Sequence, residues 1–161
     1  MNWSKETEIA AARAILATHK APSGVMAIYI SLDGDIGLKL FAVEELRDFA
    51  LNKQRDVAKH NLAPVVGDSF TLPESLHGEP CLQWKSPFPE TYPSGPLIHG
   101  YITESADTAR PVDQNAKQKV IRQLKSIKAL NTPDDLEEQD ENFGYIGDRL
   151  VIIDFDIGSW N

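Results

Sequence analysis

The stretch ENFGYIGDRLVIIDFD, residues 141–156, joins a polar start, a turn and a long apolar run that ends in acids. Its segments FGYI and RLVIIDF are rich in β-prone residues, and they flank the turn dipeptide Gly-Asp at 147–148. This pattern predicts an antiparallel hairpin. Asn142 and Asp154 would then occupy the two adjoining ends of that hairpin.

The rest of the chain alternates helical stripes with β-prone runs. Strands outnumber helices and occur mainly as hairpins, which predicts an α+β fold with an antiparallel sheet rather than a doubly wound parallel sheet. The predicted elements are a helix at 4–19, a hairpin at 25–41 turning at Asp33-Gly34, a helix at 42–61, a loop and strand at 62–72, a short strand at 81–84 inside the Pro-rich stretch 73–96, a strand at 97–104, a helix at 111–131, an acidic loop or single helical turn at 132–141 and the hairpin at 143–155.

The composition limits the classes of function. The chain has 161 residues, 16 Lys and Arg against 24 Asp and Glu, and a net charge of −8. An acidic protein lacks the clustered cations that phosphate contacts need, so we expect neither nucleic acid nor an anionic membrane as a partner. The single cysteine, Cys81, cannot form an internal disulfide, and no signal or membrane segment is evident, which predicts a cytoplasmic protein.

Four segments stand in an order that resembles the protein-kinase fold, including the small kinase-like proteins of phages and bacterial effectors. Lys39 in GLKLF resembles the strand lysine that holds nucleotide phosphates in kinases. HNLAPVV (60–66) resembles the turn after the regulatory helix, and LIHGYITES (97–105) resembles the strand that enters the adenine-binding hinge. The stretch 141–156 resembles the end of the catalytic loop followed by the magnesium-binding triplet. The resemblance spans residues 24–156.

The resemblance implies ATP and Mg²⁺ as cofactors. Lys39 would contact the phosphates, Glu104 would lie at the hinge, and Asn142 and Asp154 would be the two magnesium ligands. The chemistry of these residues agrees with those roles. Mg²⁺ prefers hard oxygen ligands and takes only one or two of them from protein, and a lysine in an apolar strand suits a point charge that offsets a triphosphate.

The loop before Asn142 departs from the kinase pattern. The catalytic aspartate of kinases lies five residues before the asparagine, and Glu137 occupies that position here. In an active enzyme Glu137 would be the base. The positions of the usual histidine and arginine hold Asp135 and Leu136, and the regulatory-helix glutamate is matched near Gln54.

Other kinase features are also altered. Gly24, Gly34 and Gly37 lack the spacing of a phosphate-binding loop, and the triplet ends in Asp156 instead of glycine. The segment after it, IGSWN, offers no activation segment. The resemblance therefore implies one kinase-like domain, 1–161, with a helical extension (1–22), a sheet-rich lobe (24–104) and a truncated C-terminal lobe (108–161).

Three functions follow. The favoured hypothesis is a degenerate kinase-like domain, or pseudokinase, that binds and modulates a protein partner, which would be a host factor for a phage protein. The first alternative is an active minimal kinase that uses ATP and Mg²⁺, and the second is an acidic α+β interaction protein without a ligand. Both kinase interpretations require a five-stranded antiparallel sheet with a helix between its third and fourth strands.

Overall fold

A computed structural model describes residues 1–19, 25–32 and 34–160 of the chain. The α+β class predicted from the sequence is confirmed. The helices are α1 (Lys5–Leu16), α2 (Glu44–Ala58), α3 (Gln114–Ser126) and the short α4 (Ile157–Trp160), and the strands are β1 (Ile28–Ser31), β2 (Ile36–Phe41), β3 (Val66–Thr71), β4 (Gln83–Trp84), β5 (Gly95–Pro96), β6 (His99–Glu104), β7 (Phe143–Ile146) and β8 (Arg149–Ile152).

The chain divides into two compact units. The first contains Met1–Asp48 and Gly67–Thr103, and the second contains Phe49–Val66 and Glu104–Asn161. A four-stranded sheet has the order β1-β2-β6-β3, while β4 pairs with β5 and β7 pairs with β8 in separate two-stranded sheets. The pairs β1–β2, β4–β5 and β7–β8 are antiparallel.

The first unit places the apolar residues of β2 in its core. Leu38 and Leu40 are fully buried, and the ring of Phe41 stacks on the ring of Tyr101 with 6.0 Å between centroids. Burying such side chains contributes about 1.5–3 kcal/mol each to folding. In the β1–β2 register Tyr29 lies opposite Lys39.

The N-terminal helix α1 begins where the sequence predicts. The Ser4 hydroxyl accepts a hydrogen bond from the Thr7 amide at 3.2 Å, and acids occupy the first turn. A side-chain cap of this kind satisfies an amide that the helix cannot pair by itself. The helix ends at Leu16, three residues earlier than predicted.

The second unit is organised around α3 and the β7–β8 hairpin. Asp113 caps α3 by accepting a hydrogen bond from the Ala116 amide at 2.8 Å. In the hairpin Phe143 lies opposite Ile152, and both side chains are buried. Gly147 turns the chain with a positive φ of 61°, which suits glycine because it has no Cβ.

The structure corrects several predicted elements. The five-stranded sheet that both kinase interpretations require is not found over the described residues: the main sheet has four strands, and α2 follows its second strand in chain order. The reason is that the segment 25–41 supplies one hairpin and Lys5–Leu16 forms α1, so the described residues before α2 contain two strands. The predicted helix 111–131 is shorter because Lys128–Leu130 forms a 3-10 turn that ends at Asn131 with a φ of 49°.

Two further elements differ from prediction. The Pro-rich stretch holds the unpredicted pairing of Gln83–Trp84 with Gly95–Pro96, and the acidic loop contains two 3-10 turns, Leu136–Glu138 and Asp140–Asn142. Gly24 and the turn residue Asp33 lie outside the described residues. Among the described helices none has the length and apolarity needed to cross a bilayer.

Candidate functional site

Asn142 lies at the open end of the β7–β8 hairpin and is held on both sides. Its backbone carbonyl accepts a hydrogen bond from the Ile153 amide at 2.9 Å, which extends the hairpin by one pair. Its side-chain amide nitrogen donates to the carbonyl of Leu136 at 3.3 Å, and its backbone amide donates to Gln139 at 3.2 Å. Because the side-chain nitrogen is hydrogen-bonded to the loop, the amide oxygen is the side-chain atom that can ligate a cation.

Asp154 follows Ile153 directly, so the hairpin brings it beside Asn142. One carboxylate oxygen, Oδ1, accepts a hydrogen bond from the Asp156 amide at 3.2 Å. The Asp154 carbonyl accepts a hydrogen bond from the indole N–H of Trp160 at 2.8 Å, and the Trp160 ring lies 5.3 Å from the ring of Phe155. The short helix α4 therefore fixes the backbone at Asp154.

The loop that carries Glu137 is hydrogen-bonded to α3. The ammonium of Lys117 donates to the Glu137 carbonyl at 2.7 Å and pairs with Asp140 at 2.8 Å. The side-chain amide of Gln114 donates to the same carboxylate at 3.3 Å. Hydrogen bonds from Lys117, and next from Gln114, hold the pKa of Asp140 below its ordinary value. The Glu137 side chain itself is exposed.

Lys39 belongs to the first unit. Its side chain is half-buried in β2 between two buried leucines, and its ammonium lies 5.9 Å from the centroid of the Tyr101 ring. A cation over an aromatic face is attracted by the ring quadrupole. Gly37, two residues earlier in the same strand, is covered by Tyr29, because an added Cβ would overlap the tyrosine ring.

The positions proposed for the hinge and the regulatory-helix acid lie in the second unit. The Glu104 amide donates to the Val65 carbonyl at 2.9 Å, so this amide serves the end of the strand pairing. Gln54 is fully buried, and its side-chain amide donates to the Pro64 carbonyl at 3.0 Å. That bond closes the turn after α2, which is the segment that resembles the corresponding kinase turn.

Four of the five predicted site residues, Glu104, Glu137, Asn142 and Asp154, belong to the second unit, and Lys39 belongs to the first. Lys117 was missed because lysines on an amphipathic helix are usually solvated. Its spacing was the available signal. Lys117 precedes Val120, Ile121 and Leu124 by three, four and seven residues, which is the period of one helix face, and all four are buried.

The donor set of this hairpin end suits Mg²⁺. An asparagine amide and an aspartate carboxylate offer hard oxygen ligands, and Mg²⁺ takes its remaining ligands from phosphates and water. In the described part of the chain no group of three or more His, Cys, Asp and Glu residues has the arrangement of a metal site. A cation at Asn142 and Asp154 would therefore depend on ligands from outside the protein.

Comparisons with known proteins add little to this description. No protein-family model matches the sequence, and no curated protein matches it. Among solved structures the chain is similar to a choline/ethanolamine kinase family protein from Mesorhizobium loti, with a TM-score of 0.43 and 15% sequence identity. The similarity covers 94% of this chain and 64% of that one, so this chain spans less than two thirds of that protein. A likeness at this level does not establish a family.

Proposed function

We propose that this chain is a degenerate kinase-like domain, with one strand fewer in its described sheet than the kinase pattern requires, that keeps a magnesium-binding hairpin and acts by binding and modulating a protein partner. For a phage product the partner would be a host protein. The observation that supports the proposal is the connection of loop and hairpin in the second unit. Asn142 is bonded to Leu136 in the loop and to Ile153 in the hairpin, next to Asp154, while the base position is the exposed Glu137.

Two features favour binding over phosphate transfer. Glutamate is one methylene longer than the aspartate of kinases, and displacements near 1 Å matter for proton transfer. Tyr29 covers Gly37 in the β1–β2 hairpin, so this glycine serves side-chain packing within the hairpin. In protein kinases a glycine-rich loop covers the phosphates, and a glycine that lies under a tyrosine ring does not fit that role.

The acidic composition indicates the chemistry of the partner. With a net charge of −8, the protein would associate fastest with a basic protein surface, because opposite charges steer the encounter. This association should weaken as salt concentration rises. Capture from the native host, followed by a binding isotherm with the purified partner, tests this part. A partner that fails to saturate would count heavily against it.

Thermal unfolding with and without Mg²⁺-ATP tests the nucleotide site. At ~100 times its dissociation constant, a ligand should stabilise the wild type by about 2.7 kcal/mol. The shift should disappear in Asp154→Asn and in Lys39→Ala. Asp148→Asn and Lys119→Ala are the matched controls, because both side chains are exposed and lie outside the proposed site. They should keep the full shift.

The absence of any shift at millimolar nucleotide would remove the nucleotide site. The second alternative, an acidic interaction protein without a ligand, would then be favoured. A shift that both Asp154→Asn and Lys39→Ala retain would mean that nucleotide binds elsewhere on the protein.

An active minimal kinase is the second candidate, and the adjacency of Asn142 and Asp154 favours it. In that case Lys39 would contact phosphate, Glu104 would lie at the adenine hinge, and Glu137 would accept the substrate proton. Labelled ATP offered to the protein alone and with host proteins is the direct test. Transfer that is lost in both Lys39→Ala and Glu137→Gln would support catalysis, and transfer absent under every condition would leave the binding proposal in place.

A further inference from the structure

We propose that Lys117 is a positioning residue that fixes the loop Leu136–Asn142 against α3 and thereby sets the orientation of the Asn142 side chain toward a cation. The inference rests on the proposed magnesium site at Asn142 and Asp154. Lys117 acts through the loop and does not itself contact the cation.

The contacts of Lys117 span the middle of the loop. Its ammonium donates to the Glu137 carbonyl at 2.7 Å and pairs with the Asp140 carboxylate at 2.8 Å, and it lies 5.8 Å from the centroid of the Phe143 ring. Gln114, one helical turn earlier, donates to both carboxylate oxygens of Asp140, at 3.4 and 3.3 Å. One face of α3 therefore holds the loop at two points and also contacts the first residue of β7.

The burial of Lys117 indicates a specific role. The residue is only 6% exposed and occupies an apolar stripe of α3. A buried ammonium is costly unless polar groups satisfy it, and an apolar side chain avoids that cost. A leucine or methionine at this position would therefore satisfy packing alone. The lysine adds a directed attachment for a polar loop.

The attachment reaches Asn142 through its hydrogen bonds. The Asn142 side chain donates to Leu136, and its backbone amide donates to Gln139. Leu136 and Gln139, which accept these hydrogen bonds, directly precede Glu137 and Asp140, the two loop residues that Lys117 contacts. If the loop moves, both partners of Asn142 move with it, and the amide oxygen loses its fixed direction. Residues that orient a metal ligand from behind typically change metal affinity by about 10–100-fold when they are replaced.

The test uses the full chain with two substitutions at Lys117 and one neighbour as control. Lys117→Met keeps most of the length of the side chain and removes its charge, whereas Lys117→Arg keeps the positive charge. Lys119→Met removes an exposed lysine from the same helix. Hydrogen exchange of individual amides measures how well the hydrogen bonds of the loop are protected. Water-proton relaxation with Mn²⁺ in the presence of ATP measures cation affinity.

We expect Lys117→Met to weaken Mn²⁺ affinity about tenfold. Amide exchange should quicken at Glu138 and Asn142 while the strand amides of β7 and β8 stay protected. Lys119→Met should match the wild type, and Lys117→Arg should recover both properties at least in part. A purely structural lysine would not produce a local change in exchange together with a loss of cation affinity that arginine rescues.

The inference is overturned if Lys117→Met folds and binds Mn²⁺ as the wild type does. If Lys117→Met fails to fold, Asp140→Asn replaces it. The Asp140 side chain is 54% exposed, so this substitution should not prevent folding, and it weakens the contact between Lys117 and the loop by removing the carboxylate charge. Unchanged Mn²⁺ affinity in that variant would also overturn the inference. A wild type that binds no Mn²⁺ would instead refute the proposed function and the inference together, which separates the two failures.

Discussion

The hairpins β1–β2 and β7–β8 each contain residues that the sequence predicts to bind nucleotide or its cation, and different forces hold the two hairpins. In β1–β2, Lys39 stands between buried leucines, its ammonium faces the Tyr101 ring, and Tyr29 fills the space above Gly37. In β7–β8, Asn142 and Asp154 are held by hydrogen bonds from Ile153, Asp156 and Trp160 and by the contact of Asn142 with Leu136.

This difference indicates which region can be altered without loss of the fold. Packing in the first hairpin is non-directional and contributes in proportion to the apolar area buried, so substitutions there should change stability first. The hydrogen bonds of the second hairpin each contribute about 0.5–1.5 kcal/mol but set direction. Substitutions there should change the geometry of the site more than the stability of the protein.

The largest effect is expected for Gly100→Ala in β6. An added methyl group would lie 2.7 Å from the Lys39 carbonyl, 2.6 Å from Phe70 and 2.7 Å from Leu40. The carbonyl cannot move aside as a flexible side chain can. Overpacking of this kind costs about 1–3 kcal/mol, so urea unfolding should show a loss of roughly 2 kcal/mol.

Gly78→Ala is the matched control for this substitution. An added methyl group at Gly78 meets nothing within 4 Å, so the free energy of unfolding should change by less than about 0.5 kcal/mol. Equal effects of the two substitutions would show that close packing beside Lys39 is not what holds the first hairpin.

An intermediate effect is expected for Trp160→Phe at the other hairpin. The substitution removes the indole donor to the Asp154 carbonyl and keeps an aromatic ring near Phe155. The lost hydrogen bond should lower the free energy of unfolding by about 1 kcal/mol. The stabilisation by Mg²⁺-ATP should also shrink, because Asp154 is no longer fixed by α4.

Trp3→Phe provides the comparison in the first unit. Trp3 contributes a ring stacked on Phe70 at 3.9 Å between centroids, and phenylalanine can retain that stacking. The substitution should therefore leave the Mg²⁺-ATP shift intact. If the two variants lose that shift equally, the hydrogen bond to Asp154 has no special part in orienting the site.

The sequence alone predicts the second hairpin well, because its signals are local. A Gly-Asp turn between two β-prone runs specifies pairing within a few residues, and that pairing places Asn142 near Asp154. The fifth strand was wrong because the prediction followed a family pattern where the chain supplies only two β-prone runs before α2. The strand predicted at 81–84 is present as Gln83–Trp84, but its partner Gly95–Pro96 was missed because a two-residue strand in a Pro-rich stretch has no periodicity.

The polar contacts that hold the loop before Asn142 could not be predicted in the same way. Lys117 and Asp140 are separated by α3 and a turn, so their pairing depends on how the helix contacts the loop. Charge counts do not contain that information. The helical period did place Lys117 on the buried face, and a charged residue in an apolar stripe was the one signal that pointed to a buried lysine with polar partners.

The smallest effects concern pH and should separate the two regions. In β6, burial, and next the positive charge of Arg47, hold the pKa of His99 below its ordinary value of 6.5. Near β7, hydrogen bonds from Lys117 and Gln114 hold the pKa of Asp140 below its ordinary value of 3.8. In both cases the unfolded chain takes up the proton first. Each contribution is therefore complete above the ordinary pKa and is lost as pH falls through the lowered value.

Urea unfolding over a pH series can resolve these two windows. The stability difference between wild type and His99→Gln should change as pH falls below 6.5, whereas the difference for Asp140→Asn should stay constant until pH falls below 3.8. Because the ion pair of Asp140 is the polar attachment of the second hairpin, its loss in acid should also quicken amide exchange in the loop. A loop that loosens already near pH 6 would mean that groups other than Asp140 hold it.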